Sequence, residues 1–138
     1  MSNDDCIFCK ISSGRDEKTQ LVYEDEQFVS FKDHKPGSDT HYLVVPKEHL
    51  DSCKVLTGEH VDLIKRMKEI GKELVKDVDQ NQVRFGFHWP PIILIKHLHL
   101  HVIAPVTGMS FMSRLIFREN SWWFVSPEYM IERLTKLK

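Results

Sequence analysis

No stretch of this chain holds the ~18 consecutive apolar residues that a membrane-crossing helix needs. Its start, Met1-Ser2-Asn3-Asp4-Asp5, is polar and acidic rather than a signal peptide. Charge of one sign is missing too: 19 Lys and Arg face 20 Asp and Glu, for a net charge of −1. Without a basic run, neither a nucleic-acid face nor attachment to an anionic membrane is expected. Cysteine is scarce, three residues with two of them in a single C-x-x-C pair. That argues against a disulfide framework and for a reducing intracellular compartment. No repeat, low-complexity tract or linker divides the chain, so one domain spanning residues 1–138 is expected. It is long enough to bury roughly two thirds of its unfolded surface.

Histidine is what the chain has in plenty, eight in all. Three of them alternate with aliphatic residues in His97-Leu98-His99-Leu100-His101-Val102-Ile103. Alternation with a period of two is the pattern of a half-buried strand. All three imidazoles then leave one face, with Cα atoms roughly 6–7 Å apart, while Leu98, Leu100 and Val102 enter a core. Rings so placed suit two tasks, surrounding a small anionic group or sharing a metal, and spacing does not choose between them. Cys6-Ile7-Phe8-Cys9 puts two thiols on one face of a helical turn. That pair needs two further ligands to become a zinc site; otherwise it is two free thiols in a small apolar turn.

The rest of the chain reads as alternating strands and helices. Leu21–Glu24 and Gln27–Lys32 flank Asp25-Glu26 as a hairpin, and Lys35–Asp39 is a turn. His41–Val45 is a strand closed by Pro46, with His49 just past it, on its own a surface loop residue. Apolar residues at Val61, Ile64, Met67, Ile70, Leu74, Val75 and Val78 predict a long amphipathic helix. Thr57 serves as its N-cap and Glu59 lies in its first turn. Val83–Phe87 is a strand, and a loop containing Gly108 follows Pro105. After the apolar Ser121–Val125, Ser126-Pro127-Glu128 has the N-cap, N1 proline and first-turn acid of a last helix. Met130, Ile131, Leu134 and Leu137 mark its inner side. Strands and helices without regular βαβ alternation predict an α+β fold with a mainly antiparallel sheet.

His97-Leu98-His99-Leu100-His101-Val102-Ile103 resembles the signature of the histidine triad (HIT) superfamily. Asp39–His49 is similar to that superfamily's second recurring segment, and Cys6–Ile11 with Phe31-Lys32-Asp33 to its nucleotide-binding start. The resemblance covers about residues 6–105, and the Trp-rich tail, with a C-terminal apolar segment and helix at about 110–138, points to the Hint branch. It implies a HIT-like fold with a five-stranded sheet, one long helix and one or more short ones. It further implies a purine nucleoside phosphoramidase that splits the P–N bond of AMP-amine and aminoacyl-adenylate adducts. His99 would be the covalent nucleophile and His101 would stabilise the phosphoryl oxygens. Asp33 would accept from the ribose hydroxyls, and Ile7, Phe8, Ile11, Phe31 and His34 would wall the base. His88 would lie near the phosphate. Leu94 stands where relatives carry a serine or threonine thought to assist the leaving amine, and a leucine cannot donate a hydrogen bond; Lys96 or His88 are its candidate substitutes. The same resemblance implies a structural zinc on Cys6, Cys9, His49 and His97, with free thiols as the alternative. No organic cofactor, nucleic acid or membrane is expected. A homodimer is, in the cytoplasm or also in the nucleus. Two rival functions are a nucleotide-binding scaffold with weak turnover and a dinucleoside polyphosphate hydrolase.

Overall fold

In the computed structural model, which describes residues 6–93 and 95–137, one antiparallel sheet separates two helical layers. The elements in chain order are α1 (Ile7–Ser12), β1 (Leu21–Glu24), β2 (Phe28–Lys32), β3 (Thr40–Pro46) and α2 (Val61–Leu74). After them come β4 (Arg84–His88), β5 (Leu100–Ala104), α3 (Phe111–Ile116), β6 (Phe124–Val125) and α4 (Pro127–Thr135). The strands lie in the order β1-β2-β3-β5-β4-β6, and each neighbouring pair is antiparallel. The sheet therefore has six strands rather than five. The added one is only two residues long, with Val125 opposite Phe87 and Phe124 opposite His88, and it covers the edge that β4 would otherwise leave open.

Period-two alternation decides which layer each side chain meets. Leu100 and Val102 of β5 join Phe28, Val44 and the inner face of α2 (Val61, Ile64, Met67, Ile70) in one buried cluster. Met130 and Leu134 of α4 pack into the same cluster. On the opposite face, Val29, Phe31, Leu43 and Val45 bury against Phe8, Cys9 and Ile11 of α1. His101 and Ile103 of β5 look toward that second face, where Ile103 packs with Met109, Phe117 and Phe124. The histidine face thus lies between α1 and the segment that contains α3.

Several expected boundaries shift. The segment His97–His99 precedes the ladder, which begins at Leu100, so only His101 of the three is a strand residue. Thr57 caps a 3-10 turn, Gly58–His60, that leads directly into α2. That helix ends at Leu74 instead of running to Val78, because the Gln80 side-chain amide donates to the carbonyls of Val75 (3.2 Å) and Val78 (3.0 Å). Those bonds satisfy backbone acceptors without a further helical turn. The loop after Pro105 holds α3, capped by Ser110, whose Oγ accepts from the Ser113 N–H. Ser126 and Pro127 start α4 as expected, but Leu137 is exposed, since the helix stops at Thr135 and its periodicity stops with it.

Candidate active site

The nucleophile expected at His99 is oriented by backbone. Its Nδ1–H donates to the carbonyl oxygen of His97 at 2.6 Å, which leaves the Nε2 lone pair free. The Phe8 ring stands edge-on at 5.1 Å and the His101 ring lies 4.9 Å away. Burial holds His99 down at about 4, only partly offset by the hydrogen bond to His97. At neutral pH the ring is uncharged and its lone pair available.

His101 belongs to a chain of directed hydrogen bonds. The Gly37 N–H donates to His41 Nδ1 at 2.8 Å, so His41 carries its hydrogen on Nε2. That atom lies 2.9 Å from His101 Nδ1 and donates to it. His101 must then carry its own hydrogen on Nε2, a buried donor with no partner among the described residues. Burial, foremost, and then the neighbouring His99 push His101 well below the ordinary histidine range. His41 is brought to about 4 by burial, against the opposing pull of Asp33. The Asp33 Oδ2 lies 3.4 Å from His41 Nε2, while its Oδ1 accepts from the Lys35 N–H at 2.9 Å. Asp33, His41 and His101 are close enough to suggest a metal group. With both His41 nitrogens engaged, however, the arrangement reads as a relay of hydrogen bonds. His88 donates from Nε2 to the Ile116 carbonyl at 2.9 Å and places its ring 4.9 Å from His101. Burial lowers it as well.

A second group could hold a metal. Ligand atoms of Cys6, Cys9, His49 and His97 all lie within 4.8 Å of one another. His97 Nδ1 is 3.3 Å from Cys6 Sγ and 3.4 Å from Cys9 Sγ, and His49 Nδ1 is 3.2 Å from Cys9 Sγ. Tetrahedral zinc with ordinary Zn–S and Zn–N bonds separates such atoms by ~3.6 Å. Both imidazoles are also in the tautomer a ligand needs. His97 Nε2–H donates to the Pro46 carbonyl at 2.7 Å and His49 Nε2–H to Asp51 Oδ1 at 2.8 Å, so the two Nδ1 lone pairs point at the thiols. Cys6 is fixed as the N-cap of α1, its Sγ accepting from the Cys9 N–H. The residues fit the ion.

The expected base wall is distributed unevenly. Phe8, Ile11 and Phe31 are buried, Phe8 meeting Phe31 edge-on at 5.4 Å, whereas Ile7 and His34 are exposed. Asp33 is half-buried beside them and Lys96 is exposed. Leu94 lies outside the described residues. Three residues of this face had no assigned role in the sequence: His41, Phe117 and Phe124. The signals for His41 were its place in a strand and in the Asp39–His49 segment, neither of which assigned it a role; it pairs opposite Ile103 of β5.

Comparison with known proteins agrees with this geometry. Residues 5–116 match the family described as scavenger mRNA decapping enzyme C-term binding. The chain is 46% identical over 132 residues to an adenosine 5'-monophosphoramidase HINT3 of Xenopus tropicalis, covering 94% of this chain and 86% of that one. A histidine triad protein of Clostridium difficile superposes with a TM-score of 0.70 at 33% identity, covering 75% of this chain and 93% of the other. The chain belongs to the histidine triad family. A further relative of this histidine triad protein is a bifunctional adenosine 5'-phosphosulfate phosphorylase/adenylylsulfatase of Arabidopsis thaliana, 42% identical over 105 residues, with 74% of this chain and 71% of that one covered.

Proposed function

We propose that this histidine triad protein is an adenosine 5'-monophosphoramidase that hydrolyses the P–N bond of AMP-amine substrates. The observation that carries the reading is the pairing of a free, neutral Nε2 on His99 with an unpartnered Nε2–H on the adjacent His101. The first is a nucleophile and the second a donor for a phosphoryl oxygen. The lone pair of His99 attacks phosphorus, the P–N bond breaks, and the amine departs with a proton taken up on its nitrogen from solvent, which the attacking water gives back in the second step. Water then attacks the nucleotidyl-histidine, releasing AMP and returning His99 to its neutral form. The Asp33 carboxylate accepts from the ribose hydroxyls, and Phe8, Phe31 and Ile11 back the base with Ile7 and His34 at its rim. His88, whose ring packs against that of His101, lines the phosphate side.

Zinc is the ion that we propose for Cys6, Cys9, His49 and His97, where it would pin the start of α1 to the segment ahead of β5. Its contribution is structural: it fixes His97, whose carbonyl fixes His99. We also propose a homodimer working in the cytoplasm, in keeping with three unpaired buried cysteines. The test is turnover of an adenosine phosphoramidate, with mass spectrometry of acid-quenched protein for a nucleotidyl adduct on His99. Turnover with an adduct supports the reading. Tight AMP binding without turnover would reject it.

A further inference from the structure

The match to the family ends at residue 116, and the next side chain is the one most deeply engaged with the imidazoles. The Phe117 ring centroid lies 5.0 Å from that of His101, 5.1 Å from His88 and 5.3 Å from His41. Phe124 stands behind it at 5.5 Å, itself 5.1 Å from His88 and 6.1 Å from His101. One aromatic wall, supplied from beyond residue 116, therefore stands against three of the histidines, of which His41 and His101 are buried and His88 is half-buried.

That wall is held by dedicated contacts. The Arg84 guanidinium donates to the Phe117 carbonyl at 3.0 Å, and the Ser113 hydroxyl donates to the Gly37 carbonyl at 2.8 Å. Gly37 is also the residue whose N–H fixes the His41 tautomer. The two glycines beneath the wall leave room for it. A Cβ on Gly37 would come within 2.7 Å of Ser113 Oγ and 3.1 Å of the Phe117 ring, and one on Gly86 would stand 2.4 Å from the Phe124 ring. Direction in the His41–His101 hydrogen bond depends on both rings staying neutral in one tautomer. If His101 moved its hydrogen to Nδ1, Nε2 would turn a lone pair toward the phosphoryl oxygen and repel it.

We propose that Phe117 is a positioning residue for the phosphoryl-transfer site: backed by Phe124, it keeps water off the His41–His101 hydrogen bond, so that His101 presents Nε2–H to the substrate. The proposal rests on the phosphoramidase reading. The groups facing this pair are Asp33 beside His41, His99 next along the chain, and His88 from β4; Arg84, on the same face of β4, has its guanidinium on the Phe117 carbonyl at 3.0 Å and 3.7 Å from Glu119. Of these only Asp33 favours a charged imidazole, so burial decides against it. Opening the wall removes the burial and leaves Asp33 in place.

The test compares wild type with Phe117→Ala and Phe117→Leu, adding Phe117→Val if the alanine variant does not fold. Histidine ring resonances of the free protein are followed by NMR from pH 8 to 5, and kcat/KM for an AMP-amine substrate is followed over the same range. In wild type the His41 and His101 resonances should not titrate above pH 5. In the truncated variant they should titrate toward the ordinary value of about 6.5. There kcat/KM at pH 7 should fall about tenfold or more through kcat, with its acid limb moved upward. Leucine, being apolar, should restore most of both. Unchanged resonances in a folded truncation would overturn the proposal, as would shifted resonances with an unchanged kcat/KM profile. If wild type shows no turnover, the phosphoramidase reading fails, while the resonances still decide whether Phe117 keeps the pair neutral.

Discussion

His97 serves His99 with its backbone and the Cys6–Cys9 pair with its side chain. Its carbonyl accepts from His99 Nδ1–H at 2.6 Å, while its own Nδ1 faces both thiols at 3.3 and 3.4 Å. A carboxylate usually orients such a catalytic imidazole. Here a main-chain oxygen does so, and it is held only as firmly as the residue that carries it. The metal group and the nucleophile are thereby coupled through one residue without sharing an atom.

Replacing His99 by alanine removes the nucleophile and with it the two-step route. Turnover of an AMP-amine substrate should fall by about four orders of magnitude or more. AMP affinity, measured by calorimetry, should change less than about tenfold, since Phe8, Phe31 and Asp33 are untouched. Near wild-type turnover in His99→Ala would exclude a histidine nucleophile at this position.

His101→Ala removes one charge-stabilising donor and should cost about 10²–10³ in kcat. His41→Phe should cost less, because it leaves His101 in place and removes only the hydrogen bond that sets its tautomer. The order His99, His101, His41 in rate loss is the measurable outcome. A His41 variant slower than the His101 variant would contradict the direction of the relay.

The histidine segment was legible because period-two alternation survives even where the chain only approaches the sheet, as at His97 and His99. The C-x-x-C pair was legible as half a site, and the resemblance supplied His49 and His97. His41 was not legible, since its role requires β3 to lie next to β5, a register that local pattern does not specify. Phe117 and Phe124 looked like ordinary apolar residues of a tail. Phe124 takes its meaning from a two-residue strand too short to show any alternation, and Phe117 from its place at the C-terminal end of α3. The end of α2 escaped for another reason: Gln80, six residues past Leu74, terminates it through its side chain.

Protein purified without added metal should carry about one zinc per chain by elemental analysis. Cys9→Ser should lose it and melt at a lower temperature, because metal binding contributes directly to folding free energy. Wild-type protein with far less than one equivalent, unaltered by Cys9→Ser, would show that the thiols are free.

Gly86→Ala tests whether β6 matters to the site. The added methyl would stand 2.4 Å from the Phe124 ring, which must move. Overpacking of this kind costs about 1–3 kcal/mol, and the displaced ring also uncovers His88. A lower melting temperature together with reduced kcat is expected. A variant matching wild type in both would mean that Phe124 moves aside freely and contributes little.

Acid should destabilise this fold well above the pH at which its carboxylates titrate. His41 is held at about 4 by burial, while in the unfolded chain it titrates near 6.5. Between those values the unfolded chain binds a proton that the native state refuses. The stabilisation is therefore complete above about pH 6.5 and is lost as pH falls toward 4. Each pH unit costs up to about 1.4 kcal/mol for one such group, so His41 alone accounts for about 3 kcal/mol at most. His101, held well below the ordinary histidine range for the same reason, adds a loss of the same sign. Urea unfolding at pH 7.5, 6.0 and 5.0 should show stability falling at each step, with the steeper loss below 6. His41→Gln should begin less stable, since it breaks the bond to His101, yet decline less steeply. Equal stability at pH 7.5 and 5.0 would mean that these imidazoles reach solvent, and the closed wall of Phe117 and Phe124 would lose its physical basis.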